Sequence, residues 1–208
     1  ADLIGYQSRR YARRYRNLVE RVRLFELAAF RGSTELTDAV ARNYYKLLAY
    51  KDEYEVARLY TGREFREALA AEFESDFKLQ FHLAPPLIAK RDKLTGHLQK
   101  QAFGAWMMPA FRVLKHFKRL RGTRLDIFGR TEERRRERQL IVDYEALIDE
   151  ILGSVRADNL PLAVALASLP DRIAGYGHVK ERNMREAEAE RAKLLERYRQ
   201  PAQLLAAE

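Results

Sequence analysis

Apolar positions recur along most of this chain at the three- and four-residue steps of an amphipathic helix. Tyr11, Tyr15, Leu18, Val22, Phe25 and Ala29 follow one another at steps of four, three, four, three and four, which predicts a long opening helix. Arg10, Arg14 and Arg21 fall on a different side of it. Gly32-Ser33-Thr34 ends that helix and offers capping residues for the next. From Leu36 to Tyr60 the period is helical again, through Val40, Tyr44, Leu47, Leu48, Tyr54, Ala57 and Leu59. A third helix is predicted over Arg63–Phe73.

The period then changes. Phe77, Leu79, Phe81 and Leu83 alternate with Lys78, Gln80 and His82, the pattern of a strand with one buried face. Pro85-Pro86 stops it, and a loop containing Asp92 and Gly96 leads to a second strand over Leu98–Phe103. Helix returns over Ala105–Leu120 and breaks at Gly122. Thr131 is placed to cap a helix that runs to Leu152, with Arg134 at its third position. Asp158 opens an apolar helix over Leu160–Leu169, whose all-round hydrophobicity predicts burial. After Pro170 and Gly175-Tyr176-Gly177, a last helix is predicted over His178–Tyr198. The fold class is mainly α: an irregular multi-helix domain with a long N-terminal helix and a small two-stranded β-ribbon. Residues 1–208 show no repeat and no low-complexity linker, so one domain is expected.

Composition narrows the chemistry. Hydrophobic residues at 47% and charged residues at 33% describe a globular chain rather than a disordered one. The absence of cysteine removes thiolate zinc sites, iron–sulfur ligation and cysteine nucleophiles together. No apolar run approaches the roughly 20 residues that span a bilayer, and no signal peptide opens the chain, so a cytoplasmic protein without a membrane partner is expected. Ala1 stands where a free-standing protein would start with Met, which reads as an excised fragment of something longer.

The net charge of +9 is concentrated in two places. Residues 1–31 hold eight arginines against Asp2, Glu20 and Glu26. Residues 103–125 hold Arg112, Lys115, Lys118, Arg119, Arg121 and Arg124 with no acid among them. Together these surpluses exceed the net charge, so the remainder is slightly acidic. The second cluster is the best candidate for binding an acidic partner. Nucleic acid is disfavoured as that partner, because neither an RNP signature nor a helix-turn-helix accompanies the charge.

Other constellations read as structure. His82, His97, His116 and His178 show no metal-ligand spacing, and no serine sits in a G-x-S-x-G elbow. Gly175-Tyr176-Gly177 reads as a helix-to-helix turn in preference to a phosphate cradle. Thr131–Arg138 interleaves Glu132, Glu133 and Glu137 with arginines and reads as a solvated helix face. For Lys51–Arg58 two readings stand: a solvated face with Lys51–Glu55 and Tyr54–Arg58 as neighbours, or a hydrogen-bonded ion network at a domain surface.

Three stretches taken together resemble a known family. They are Ala49-Tyr50-Lys51-Asp52-Glu53-Tyr54-Glu55-Val56-Ala57-Arg58-Leu59-Tyr60, Phe81-His82-Leu83-Ala84-Pro85-Pro86 and Gly175-Tyr176-Gly177-His178-Val179-Lys180-Glu181. They resemble the C-terminal domain of the fused bacterial indolepyruvate ferredoxin oxidoreductases, as do Phe103-Gly104 with Trp106-Met107 and Arg119-Leu120-Arg121-Gly122-Thr123. The likeness runs from Tyr6 to Arg182, with Ala105 standing where the family has proline. It implies a parent enzyme of the 2-oxoacid:ferredoxin oxidoreductase family. That enzyme decarboxylates aryl pyruvates and passes the acyl group to CoA and electrons to ferredoxin, using thiamine diphosphate, magnesium and iron–sulfur clusters.

Those sites belong to other domains of the family's chain, so no catalytic, cofactor or metal residue is carried over. The resemblance implies an accessory helical domain whose partners are the other domains of the same chain and ferredoxin. Lys51, Asp52, Glu53, Glu55, His178 and Lys180 are the candidates for interdomain contact. Arg112, Lys115, Lys118, Arg119, Arg121 and Arg124 are the candidates for an acidic-partner patch. The alternative is a free-standing basic helical module that binds nucleic acid.

Overall fold

Helical periodicity becomes helix along most of the chain. The computed structural model describes residues 2–73, 77–83, 99, 101–175 and 177–200, with Gly177 and His178 described in backbone only. Among the described residues the helices are α1 (Asp2–Tyr6), α2 (Arg9–Ala29), α3 (Glu35–Leu48), α4 (Glu53–Tyr60), α5 (Arg63–Glu72), α6 (Met107–Leu114), α7 (Glu132–Ser154), α8 (Leu160–Ser168) and α9 (Gly177–Tyr198). Two short strands, β1 (Phe81–Leu83) and β2 (Gln101–Phe103), complete a mainly helical fold with one small antiparallel ribbon. No described helix is long and apolar enough to cross a membrane. The chain divides into two compact units: residues 1–9 with 50–136, and residues 10–49 with 137–208.

In the first unit, β1 and β2 pair with Phe81 opposite Phe103 and Leu83 opposite Gln101. That register puts both phenylalanines on one face, where they are buried with Ala57 of α4 and Phe111 of α6. Tyr60 sits among them, edge-on to Phe65 and Phe81 at 5.0 Å and stacked on Phe111 at 5.6 Å. Each such pair adds about 0.5–1.5 kcal/mol beyond area burial. The strand is shorter than its alternation suggested, because Phe77 lies exposed against Phe73 rather than in the ribbon. Pro85-Pro86, Asp92, Gly96 and Leu98 lie outside the described residues.

The helical stretch expected from Leu36 to Tyr60 is two helices. Asp52 breaks it: its backbone is extended, and its carboxylate accepts from the Glu55 amide at 2.9 Å, a helix N-cap. The helix expected over Ala105–Leu120 is likewise α6 followed by a tighter 3₁₀ segment, Lys115–Leu120.

In the second unit, α2 buries Leu18 and Val22 as predicted, but the face continues through Glu26, and Ala29 is exposed. α3 contributes Leu36, Val40, Tyr44 and Leu48, and α7 contributes Ile141, Tyr144, Leu147, Ile148 and Ile151. The rings of Tyr15, Tyr44 and Tyr144 form a ladder, stacked at 5.9 and 6.0 Å. Their hydroxyls are all used: Tyr15 donates to the Ala41 carbonyl, Tyr144 to that of Ala167, and Tyr44 to Glu145. α8 buries Ala163, Leu166 and Ala167. Its N-cap position is held by Asn159 rather than Asp158, which pairs with Arg156 instead.

Candidate functional site

The sequence singled out two charged groups, and the structure brings one member of each together. Arg121 and Asp52 form a bidentate ion pair in the first unit, Nε to Oδ2 at 2.5 Å and Nη2 to Oδ1 at 2.7 Å. Their side chains are 3% and 4% exposed, so neither is a surface charge. Nη1 of Arg121 donates to the Tyr6 carbonyl at 2.7 Å, and the guanidinium lies 3.7 Å from the centre of the Tyr6 ring. Burial pulls the Arg121 guanidinium toward its neutral form, but the Asp52 hydrogen bonds and nearby charges outweigh it and hold the cation. Arg121 therefore leaves the acidic-partner patch. Local sequence showed no acid near it because its partner stands 69 positions away.

The rest of the first-unit network follows from the same cap. Once Asp52 starts α4, Lys51 lies outside the helix and stays exposed, while Glu55 is turned inward. Glu55 grips Arg58 at 2.8 and 2.7 Å instead of meeting Lys51, and Arg58 also reaches Asp2 at 3.4 Å. Tyr54 donates to Asp126 at 3.2 Å, and the Asp126 carboxylate also accepts from the amides of Gly122 and Gly129. Lys118 donates to the carbonyls of Gly5 and Ile4 at 2.6 and 3.3 Å. Asp52, Glu53 and Glu55, candidates for interdomain contact, have partners inside their own unit, so the residues from Asp52 to Arg58 form an ion network while Lys51 stays outside it.

Two further expectations change. The Thr131 hydroxyl does accept from the Arg134 amide at 3.3 Å, but Thr131–Arg138 is not simply a solvated face. Arg134 is mostly buried 3.5 Å from Glu53 in the first unit, and Glu137 is buried against Lys180 in the second. Lys180 is spent on that pair, and the side chain of His178 lies outside the described residues. The surplus of residues 1–31 is also partly matched: Arg14 grips Glu145 at 2.6 and 2.7 Å, Arg21 pairs with Asp149, and Arg23 with Glu20. Gly175 has φ +97°, and a Cβ there would come within 2.9 Å of Val179, which supports a glycine turn before α9. Tyr176 lies outside the described residues.

What remains of the patch is an outward face. Arg112, Arg119 and Arg124 are exposed, and Lys115 is half-buried. Trp106, Val113 and Phe117 of the same segment are exposed too, at 63%, 61% and 47%, seven and then four positions apart. Three large apolar side chains flanked by cations are an unusual thing to leave in water. Sequence reasoning counted the charges of this segment and missed the apolar stripe. Steps of seven and four, beside Phe111 in the core and the partly buried Met107 and Leu114, were the signal.

One group in the first unit has an unused valence. Glu53 is mostly buried, and its Oε2 has no hydrogen-bond partner. Burial pushes its carboxyl above the ordinary range, with Arg134 opposing, so ionised Glu53 costs stability in the folded chain. A raised folded pKa means stability is lost as pH rises through it. Glu53→Gln is expected to melt above the wild type at pH 8, with the gap closing toward pH 4 where both are neutral. Melting curves across that range check this, and a gap that widens in acid contradicts it.

No curated protein and no solved structure matches the chain. A family model described as a family of unknown function (DUF6537) matches residues 1–193, which takes in both units and every charged contact described above. On that match the chain belongs to the DUF6537 family.

Proposed function

We propose that this chain is an accessory, non-catalytic helical domain of a thiamine-diphosphate-dependent indolepyruvate ferredoxin oxidoreductase. The parent converts an aryl pyruvate, CoA and oxidised ferredoxin to aryl-acetyl-CoA, CO2 and reduced ferredoxin in its other domains. The observation that carries the reading is how the resembling residues are used. In the Tyr50–Arg58 stretch, Asp52, Glu53, Tyr54, Glu55 and Arg58 all have partners within the first unit, as a supporting network would. The chain also holds no cysteine for a cluster.

The exposed Trp106–Val113–Phe117 stripe is the surface that would pack against another domain of the same parent chain. Arg112, Arg119 and Arg124 remain to draw acidic ferredoxin. The nucleic-acid reading is weaker for the same geometry, since Arg121 and Lys118 are spent on internal partners.

Removing this domain from the parent enzyme is expected to cut turnover by at least about tenfold, a loss of about 1.4 kcal/mol in transition-state stabilisation, or to break its assembly. Steady-state rates and light scattering on the truncated enzyme test it. Unchanged turnover and unchanged oligomeric state would overturn the proposal, and so would decarboxylation of an aryl pyruvate by the isolated chain.

A further inference from the structure

Within the first unit, α4 packs against α6, and beside their contact lies a cavity of about 200 Å³. Thr61, Arg66, Met108, Arg112 and Lys115 line it. Three of these five are cations, and no carboxylate is among the described residues of the lining. Among the described residues the side chains of Arg112 and Lys115 make no hydrogen bond and no ion pair. The one bond of Arg66 is a long contact, 3.4 Å from Nε to the Gly62 carbonyl at the start of its own helix.

Other arginines of the unit are matched. Arg58, Arg121 and Arg134 each meet a carboxylate. Lys118, one helical turn on from Lys115, is made easier to deprotonate first by burial and then by Arg58, Arg119 and Arg121, with Glu55 opposing. Three cations gathered at one concavity repel one another until an anion enters.

The ligand's chemistry can be narrowed from the lining. The Thr61 hydroxyl already donates to the Ala57 carbonyl at 2.8 Å, so it is not a free donor for an anion. The donors on offer are two guanidinium forks and one ammonium, with Met108 as an apolar wall. Guanidinium forks match phosphate oxygens in bidentate geometry. A phosphoryl group carries about −1.5 to −2 at neutral pH against one charge for a carboxylate, so it balances three cations better.

We propose that this cavity is an anion site for a compact phosphate-bearing ligand, with Arg66 and Arg112 gripping phosphoryl oxygens and Lys115 adding the third charge. The site does not depend on the parent-enzyme reading, since all five residues belong to one unit of this chain.

The test is calorimetric titration of the whole chain with sodium pyrophosphate in low-salt buffer, beside sodium chloride at matched ionic strength. One saturable site is expected for pyrophosphate and none for chloride. Arg66→Gln/Arg112→Gln is expected to weaken binding by at least about tenfold, because each charge-assisted pair is worth more than an ordinary hydrogen bond. Arg63→Gln removes a cation from the same helix but outside the cavity, where it pairs with Glu67, and is expected to change affinity less than about twofold, as an exposed pair is worth little. Lys115→Gln, read separately, is expected to fall between these. Heat that never saturates, a response that chloride reproduces, or an equal loss from Arg63→Gln would each overturn the site. Circular dichroism confirms that each variant keeps its helix content.

Discussion

Arg121→Met is expected to destabilise the first unit by about 3–5 kcal/mol, the cost of leaving one member of a buried ion pair without the other. The substitution strands the Asp52 carboxylate, 4% exposed, with only the Glu55 amide to accept from. It also removes the donor to the Tyr6 carbonyl and the cation over the Tyr6 ring. Asp52→Asn is expected to destabilise from the other side, since it removes the counter-charge of a buried guanidinium that keeps only neutral acceptors such as the Tyr6 carbonyl. Asp52→Asn/Arg121→Met should recover a large part of either loss, because neither a carboxylate nor a guanidinium is then buried without its counter-charge. Arg121→Lys is not conservative here: one ammonium cannot span both Asp52 oxygens, reach the Tyr6 carbonyl and lie flat on the ring. Urea unfolding of the wild type, Arg121→Met, Asp52→Asn and the double variant measures the coupling directly. A coupling below about 1 kcal/mol would mean the pair behaves as a surface salt bridge, contrary to its burial.

That pair also marks where sequence reasoning stops. Helix positions were legible because periodicity is local: α5, α7, α8 and α9 fall within a few residues of their predicted spans, and the ribbon lies where the alternation changes. The break at Asp52 was legible in principle, since an aspartate three residues before Glu55 is an N-cap signal. What could not be read was which distant residue would neutralise Asp52. Arg121 looked free because every residue between 103 and 125 lacks a negative charge, yet in space it is the most thoroughly paired cation of that cluster. Glu137 and Lys180 show the same blindness over 43 positions. Counting charge along a chain finds a surplus, and only folding decides which of those charges still face outward. Arg112, Arg119 and Arg124 pass that filter, and Arg121 does not.

Glu26 is the second place where a large effect is expected, and it was missed altogether. It sits four residues after Val22 on the buried face of α2 and is 1% exposed. Gly32, at φ +82°, turns the chain so that the start of α3 meets this carboxylate. Oε1 accepts from the Leu36 amide at 3.0 Å and the Ser33 hydroxyl at 2.7 Å. Oε2 accepts from the Thr37 amide at 2.8 Å and the Thr37 hydroxyl at 2.6 Å. Thr34, one of the capping residues offered by Gly32-Ser33-Thr34, holds the N-cap position but donates to Asp38, so the Leu36 and Thr37 amides are capped from α2. A carboxylate at a helix N-terminus meets unsatisfied amides and the positive end of the helix dipole together.

Glu26→Ala is therefore expected to cost on the order of 3 kcal/mol, combining a lost cap with amides left buried and unpaired. For a chain of this size that lowers the Tm by roughly 6–12 °C. The pH dependence separates this role from simple packing. Burial alone would raise the Glu26 carboxyl, but the bonds from Thr37, Ser33 and Leu36 win and hold it below the ordinary range. A depressed folded pKa gives stability that is complete above the unfolded value and lost as pH falls through the folded one. Glu145 and Glu150 shift the same way, so acid weakens the wild type and the variant alike through them. The difference between wild type and Glu26→Ala should stay constant from neutral pH to the ordinary carboxylate range and narrow below it. Glu26→Gln, which keeps the shape but not the charge, should show most of the loss at neutral pH and little of it in acid. A difference that ignores pH for both variants would reduce Glu26 to a filler of space between α2 and α3.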